Sequence, residues 1–198
     1  MCGIAGYMGQ GSKAILENMV SAIRHRGPDF QASEIIGDVG LGHARLSILD
    51  LTAQGHQPMW NEDKTIGIVF NGEIYNFEEV KKSLQQKHTF ISTTDTEVIV
   101  HAYEEFGEQV FSKLRGMFAI AIFDRNKIIL ARDHVGKKPL FWSVIEGTLI
   151  FGSELKALQK HPLFHPKINI SSVSKYLQYE YIPTPDTIYE GVYKLEPG

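Results

Sequence analysis

The sequence has only one cysteine, Cys2, among its 198 residues. A single thiol cannot form an internal disulfide, and it cannot build a thiolate zinc site. The N-terminus carries neither the basic region nor the apolar region of a secretory signal. We therefore expect the protein to reside in a reducing cytoplasm, where its thiol stays free.

Long apolar runs and an excess of basic charge are also absent. The richest apolar stretch, Met117–Phe123, has the length of a strand, whereas a membrane-spanning helix needs about 18 or more apolar residues. The formal net charge is −3 at pH 7, with a sequence pI near 6.2. This balance offers no basic field for phosphates, so we expect neither nucleic acid nor a membrane as a partner. Small molecules and proteins remain.

Motifs for metals and phosphates are missing as well. The eight histidines follow neither an HExxH pattern nor a Cys/His ligand spacing. Gly9-Gln10-Gly11 is too short for a dinucleotide-binding fingerprint, and no Walker-type loop occurs. The sequence therefore predicts no metal site and no nucleotide-phosphate site.

What the sequence does contain is a succession of short β-rich runs separated by Gly, Asn or Asp turn signals. These runs are Gly3–Met8, Val39–Ile48, Thr65–Phe70, Gly116–Asp124, Lys127–Ala131, Leu140–Ser143 and Thr148–Gly152. Helical periodicity predicts helices around residues 15–23, 77–84 and 98–106. The hairpin signal at Arg125-Asn126 favours antiparallel pairing. We predict an α+β fold with two stacked, mainly antiparallel sheets and helices on the outside.

The composition changes after residue 160. Five prolines fall within residues 161–198, around one predicted helix at Ser171–Tyr179. We expect residues 1–160 to form one globular domain. Residues 161–198 are expected to form a proline-rich connection toward a further, C-terminal domain.

Cys2 follows the initiator Met1 directly and permits two interpretations. If Met1 is removed, one residue carries both a thiol and a free α-amine. An α-amine has a pKa of about 7.7–8.0 and can serve as a base for the thiol near neutral pH. The alternative is that Cys2 is a small apolar residue that opens a buried strand.

Asn71 and Gly72 follow a predicted buried strand and are equally ambiguous. Asn-Gly is the best short hairpin signal. An Asn side-chain amide beside a Gly backbone N–H is also a natural oxyanion hole, because both groups donate and Gly permits close approach.

Two charged residues lie where a ligand could use them. Arg45 interrupts an apolar strand, and a buried guanidinium needs an anionic partner, either a substrate carboxylate or a structural one. Asp95 lies at the start of a predicted helix, between Thr94 and Glu97, which have capping-box spacing. Asp95 therefore either favours the helix dipole or holds a ligand's ammonium.

Taken together, these residues resemble the class II glutamine amidotransferase domain found at the N-terminus of glutamine-hydrolysing asparagine synthetases. Eight short segments carry the resemblance in collinear order. They are Met1–Gly6, Arg24–Asp29, His43–Ile48, Phe70–Asn76, Thr94–Glu97, Gly116–Ala119, Ala131–Gly136 and Gly152–Ala157. Amidotransferases that make glucosamine phosphate or phosphoribosylamine share the N-terminal cysteine but are a poorer match to the second and third segments.

The resemblance implies a four-layer α/β/β/α N-terminal-nucleophile hydrolase fold and a glutaminase site. It implies that Cys2 is the nucleophile on L-glutamine, and that Asn71 and Gly72 stabilise the oxyanion. Arg45 would bind the substrate α-carboxylate, and Asp95, with Glu73, the α-ammonium. Leu46, Ile48 and Leu49 would complete the substrate site.

The same resemblance implies partners and cofactors. L-Glutamine would be hydrolysed to glutamate, and the ammonia would pass to the chain's own C-terminal synthetase domain, which this chain does not include. The glutaminase reaction itself would need no cofactor, and ATP and magnesium would serve only the synthetase. The sequence does not identify the acceptor of the ammonia, and it does not determine whether the domain forms a homodimer.

Two further hypotheses come from other classes. The domain could be a catalytically silent regulatory or assembly module of such an enzyme. It could also be a thiol hydrolase in which a histidine such as His43 activates Cys2, as in papain-like sites.

Overall fold

The computed structural model describes residues 1–198, and they form ten strands, five α-helices and three short 3-10 turns. The strands are β1 Gly3–Met8, β2 Phe30–Ile36, β3 Val39–Arg45, β4 Met59–Trp60, β5 Ile66–Ile74, β6 Gly116–Asp124, β7 Lys127–Arg132, β8 Phe141–Ile145, β9 Thr148–Gly152 and β10 Val192–Lys194. The helices are α1 Lys13–Ala22, α2 Phe77–Leu84, α3 Asp95–Phe106, α4 Leu155–Leu158 and α5 Ile170–Tyr179.

The strands form two sheets in which every pairing is antiparallel. One sheet has the order β10-β8-β9-β1-β3-β2, and the other has the order β4-β5-β6-β7. The hairpin predicted at Arg125-Asn126 joins β6 to β7, with Asp124 opposite Lys127. The predicted antiparallel architecture is thus confirmed.

The two sheets pack face to face through small and aromatic side chains. Because successive residues of a strand point to opposite faces, β6 sends Ala119, Ala121 and Phe123 toward the other sheet. Ile4 and Phe151 meet them from β1 and β9. The small alanines let the sheets approach closely, and this interface is the central layer of the core.

Helices cover the outer face of each sheet. The alternate residues of β5 and β6, such as Ile68 and Ile120, form a cluster with Val98 and Ala102 of α3. On the other side, α1 lies close to β3, since a Cβ at Gly42 would come 2.4 Å from the Val20 side chain. The result is the predicted α/β/β/α sandwich.

The strand β5 differs from its predicted form. It does not end at Phe70 in a hairpin turn but continues through Asn71 and Gly72 to Ile74. All nine residues pair with β6, from Ile66 opposite Asp124 to Ile74 opposite Gly116. The pairing partner overrides the local turn preference of Asn-Gly, so the hairpin interpretation is wrong.

The C-terminal segment is also more integrated than its prolines indicate. Its strand β10 pairs with β8, and Val192 is buried in the cluster of the six-stranded sheet. This segment therefore completes an edge of the sheet rather than running as a free linker. That this segment leads to a further, C-terminal domain stays a prediction.

The helix α5 is present close to its predicted bounds and leaves apolar side chains exposed, among them Ile170, Leu177 and Tyr179. It has only ten residues. None of the helices combines the length and the apolar character that a crossing of a membrane requires.

Candidate active site

Four parts of the chain that are distant in sequence meet at one cleft. These parts are the start of β1, the loop after β3, the end of β5 and the start of α3. The cleft is lined by Cys2, Arg45, Leu46, Ile48, Leu49, Gly55, Gln57, Phe70, Gly72, Glu73, Thr94, Asp95 and Thr96. Every residue predicted for the site lines this cleft except Asn71, which lies beside it in β5.

The thiol of Cys2 contacts the backbone of a single residue, Leu46. Its Sγ accepts from the Leu46 N–H at 3.4 Å and faces the Leu46 carbonyl at 3.5 Å. Burial raises the pKa of the Cys2 thiol, while the Leu46 hydrogen bond, the chain's N-terminal charge and Arg45 act in the opposite direction. A thiol in this state needs a base to become a nucleophile.

The carbonyl of Cys2 is fixed by Arg26. Its Nε donates to the Cys2 oxygen at 3.0 Å, and its Nη1 donates to Glu154 at 3.0 Å. Arg26 thereby ties the start of β1 to the region after β9. The backbone at Cys2 is consequently rigid, which a nucleophile requires.

Arg45 has no carboxylate partner in the protein. Its guanidinium donates to the carbonyl of Thr52 at 2.9 Å, to that of Leu49 at 3.2 Å and to that of Asp50. The residue is only 4% exposed. Because carbonyl groups carry no net charge, the positive charge of Arg45 stays uncompensated at the wall of the cleft. The structural-carboxylate alternative is therefore wrong.

The loop that Arg45 holds is fastened at further points. Asp29 accepts from the Ser47 N–H at 2.7 Å. Asp50 accepts from Thr52 and from the Thr93 N–H, and these hydrogen bonds lower the pKa of Asp50 to about 2. The loop bearing Leu46, Ile48 and Leu49 is thus closed over one side of the cleft.

We expect Gly55→Ala to disturb this loop. A Cβ at Gly55 would come 2.2 Å from Arg45 Nη2 and 2.9 Å from the Asp50 carbonyl, so the guanidinium has to move away from its carbonyls. The expected loss in unfolding free energy is about 1–3 kcal/mol, measured by urea denaturation. In the double variant Arg45→Met/Gly55→Ala the glycine change should cost less, and strictly additive effects would contradict this steric coupling.

Asn71 and Gly72 sit opposite β6. The Asn71 side chain is buried, and its amide nitrogen finds no hydrogen-bond partner in the protein. At Gly72 a Cβ would come 2.2 Å from the Met117 carbonyl, so no other residue fits without movement of the backbone. A buried donor without a partner costs about 1–3 kcal/mol, which is consistent with a ligand that accepts from it.

Asp95 begins α3, and its carboxylate accepts from the Ile74 N–H at 2.9 Å. Burial is the main cause that raises the pKa of Asp95; the Ile74 hydrogen bond opposes it, Glu73 adds to it, and the resulting pKa is about 7. The N-cap of α3 is Thr94, which accepts from the Glu97 N–H at 3.3 Å. Asp95 is therefore not needed as the cap.

Gln57 is a site residue that the sequence analysis missed. Its Oε1 accepts from the Phe70 N–H at 2.6 Å, and its Nε2 donates to Thr96 at 3.1 Å. It thereby sets the distance between β5 and α3, and with it the separation of Gly72 from Asp95. No local pattern marks this glutamine, because both partners are distant in sequence.

The papain-like hypothesis is wrong for His43. This residue lies between the sheets, fully buried, and its Nε2 is 3.2 Å from the Phe70 carbonyl rather than near Cys2. Burial lowers the pKa of His43 to about 3, so the imidazole is too weak a base at neutral pH. No histidine lines the cleft.

The structure brings three potential metal ligands together far from Cys2, namely Glu62, His88 and His101. Their ligand atoms lie within 4.8 Å of one another. The imidazoles already have carboxylate partners, since His101 Nδ1 is 2.8 Å from Glu104 and His88 Nε2 is 3.2 Å from Glu105. The two imidazole rings also contact each other at an angle of 33°, with centroids 4.5 Å apart, so each histidine is accounted for by its contacts within the protein.

The fold agrees with comparisons to known proteins. The model of the glutamine amidotransferase domain family matches residues 1–198, and the chain belongs to this family. Among solved structures, glutamine phosphoribosylpyrophosphate amidotransferase from B. subtilis superposes with a TM-score of 0.69 at 22% identity, over 80% of this chain and 43% of that one. This likeness confirms the N-terminal-nucleophile hydrolase fold.

The curated relatives show which glutamine amidotransferases this domain is similar to in sequence. Asparagine synthetase [glutamine-hydrolyzing] 2 from Bacillus subtilis is 47% identical over 82% of this chain and 23% of its own length. Asparagine synthetase [glutamine-hydrolyzing] 1 from the same organism is 38% identical over 100% of this chain and 33% of its own length. The chain therefore spans 23% to 33% of the length of these relatives. It is a glutamine amidotransferase domain homologous to those of asparagine synthetases.

Proposed function

We propose that this domain hydrolyses the side-chain amide of L-glutamine to glutamate and ammonia, with Cys2 as the nucleophile. One observation carries the proposal: the cleft that contains the Cys2 thiol also contains an uncompensated cation, Arg45, and a carboxylate without a cationic partner, Asp95. Such a pair suits the α-carboxylate and α-ammonium of a free amino acid. Glu73 assists Asp95, and Leu46, Ile48 and Leu49 contact the aliphatic part.

The first half of the reaction forms a thioester. After excision of Met1, the neutral α-amine of Cys2 removes the thiol proton, and the thiolate attacks the side-chain carbonyl carbon. The Asn71 amide and the Gly72 N–H donate to the resulting oxyanion. When the C–N bond breaks, the protonated α-amine returns its proton to the leaving nitrogen, and ammonia departs.

The second half regenerates the enzyme. The α-amine removes a proton from water, and the hydroxide adds to the thioester carbonyl within the same oxyanion hole. The C–S bond then breaks, glutamate leaves, and the proton returns to the thiolate. We propose that these steps use no cofactor, since thiol and amine supply both nucleophile and base, while ATP and magnesium serve a synthetase domain.

The destination of the ammonia is a further part of the proposal. The relatives are named as asparagine synthetases and extend well beyond this chain. We propose that a C-terminal synthetase domain covers the exposed apolar residues of α5, such as Leu177 at 77% exposure. A reducing cytoplasm would keep Cys2 free, and formation of a homodimer remains a hypothesis.

The test combines an intact mass with an assay of glutamate and ammonia release on the same sample. A chain that lacks one Met and releases both products in equal amounts supports the proposal. A chain that has lost Met1, binds glutamine and releases nothing would instead support the silent-module hypothesis. The full set of Cys2, Arg45, Gly72 and Asp95 in one cleft favours catalysis over that alternative.

Asp95 leads to a pH-dependent prediction. Its pKa of about 7 means that the carboxylate is ionised only above neutral pH, and an ammonium binds the ionised form. We expect the KM for glutamine to fall as pH rises from about 6 to 8, and Asp95→Asn to raise KM by about tenfold or more while kcat changes less. A KM that is independent of pH and unchanged in Asp95→Asn would contradict this assignment.

The same shift has a consequence for stability. A carboxyl whose folded pKa lies above its unfolded value destabilises the fold increasingly as pH rises between the two values. Asparagine keeps an oxygen for the Ile74 N–H and carries no charge. We expect Asp95→Asn to be more stable than wild type at pH 8 by about 2–4 kcal/mol, and no more stable at pH 4, by urea denaturation at both values.

A further inference from the structure

Lys138 is a buried lysine whose side chain points to the chain's N-terminus. The residue is 4% exposed, and its Nζ donates to the Met1 sulfur at 2.9 Å. It forms no salt bridge, although the fold contains several exposed lysines that do, such as Lys127 with Glu108. Burying an ammonium whose only side-chain partner is a thioether costs free energy of folding. This cost points to a function for the charge of Lys138.

The loop that presents Lys138 is held firmly. Asp133 is fully buried and accepts from four backbone N–H groups, those of Phe118, Val135, Lys137 and Lys138, at 2.8–3.3 Å. Burial alone would raise the pKa of Asp133, but these donors hold it below its usual value. The position of Lys138 is therefore set by the fold rather than by its contact with Met1.

Excision of Met1 removes the partner of Lys138 and creates a new amine at Cys2. The ε-amine then has no thioether partner, and Cys2 lies within electrostatic reach of it. Two amines held close together repel as cations, and this repulsion favours the neutral form of the weaker base. The α-amine is the weaker base of the two.

We propose that Lys138 is a positioning residue that keeps the α-amine of Cys2 unprotonated once Met1 has been excised. The proposal rests on the proposed function, because only a neutral α-amine can take the thiol proton. Lys138 touches no substrate atom in this role. It acts through the α-amine of Cys2. Until Met1 is excised, the Met1 side chain lies against the Lys138 ammonium.

Other charged groups also surround this terminus. Arg26 donates to the Cys2 carbonyl and adds positive charge, whereas Glu73 and Asp133 add negative charge near Lys138. Arg45 and Asp95 act on Cys2 from the cleft with opposite signs. Burial and Arg26 lower the pKa of Lys138, and Glu73, Asp133 and Cys2 oppose that effect. Glu73 and Asp133 favour the protonated form of Lys138, and this ammonium is the form that acts in the proposal.

The test is the pH profile of kcat at saturating glutamine, measured on samples whose mass shows loss of Met1, because Asp95 contributes to the pH dependence of KM. In Lys138→Met the acid limb should move up by about one pH unit, which is a tenfold loss on that limb, whereas Lys138→Arg should keep the wild-type profile. Lys137→Met is the matched control, because Lys137 is exposed and adjacent. An equal loss of activity at every pH in Lys138→Met, with no shift of the acid limb, would overturn the proposal.

A second measurement separates this proposal from the proposed function. The pKa of the Cys2 α-amine can be determined from the pH dependence of its acetylation by acetic anhydride, read from the mass of the N-terminal peptide. A higher pKa in Lys138→Met than in wild type supports the proposal even if the domain hydrolyses no glutamine. Equal values in the two proteins overturn it even if the domain is an active glutaminase.

Discussion

Cys2→Ala is expected to abolish glutamine hydrolysis, with a loss in kcat of at least about a thousandfold. No other group of the cleft can form the thioester, and its remaining polar groups only bind and orient. Glutamine binding should persist, because Arg45 and Asp95 are unchanged. The measurements are product release under saturating glutamine and a binding isotherm by calorimetry.

A second variant isolates the α-amine from the thiol. Insertion of one bulky residue between Met1 and Cys2 prevents exposure of the amine at Cys2 and leaves the thiol in place. We expect the same loss as in Cys2→Ala. Full activity of the insertion variant would show that the base is another group, and retention of activity by Cys2→Ala would refute the covalent mechanism.

Asn71→Ala is expected to lower kcat by about a hundredfold to a thousandfold with little change in KM. The amide nitrogen of Asn71 has no partner within the protein, so its donor capacity is available to a charge that develops only in the transition state. Steady-state kinetics give both constants. Asn71→Asp keeps the shape but places a carboxylate beside the oxyanion, and its loss should be at least as large.

The unfolding free energy of Asn71→Ala provides the control for its kinetics. Since the Asn71 amide nitrogen makes no hydrogen bond in the protein, its removal breaks none, and the unfolding free energy should fall by no more than the small cavity term of about 1 kcal/mol. A large loss of stability with an unchanged kcat would assign Asn71 to the sheet rather than to the oxyanion hole.

Much of the fold could be predicted because it depends on local periodicity. The strands β1, β6 and β9 begin and end where the β-rich runs and their turn signals predict them. The helices α2 and α3 follow from apolar residues at helical spacing. The sequence does not predict β2, β4 or β10, since β2 has exposed or half-buried residues and β4 and β10 have only two and three residues. All three owe their strand conformation to a neighbouring strand.

The sequence by itself determined which chemistry is available: one thiol beside the chain terminus, an arginine in an apolar strand, an Asn-Gly pair and an acidic residue at a helix start. Only the tertiary structure decided how these groups are used. It placed Asn71 in a continuous strand, gave Arg45 carbonyls instead of a carboxylate, removed His43 from the cleft and brought Lys138 to residue 1. The reason is that charge compensation and pKa depend on contacts between residues far apart in the chain, about which local patterns carry no information.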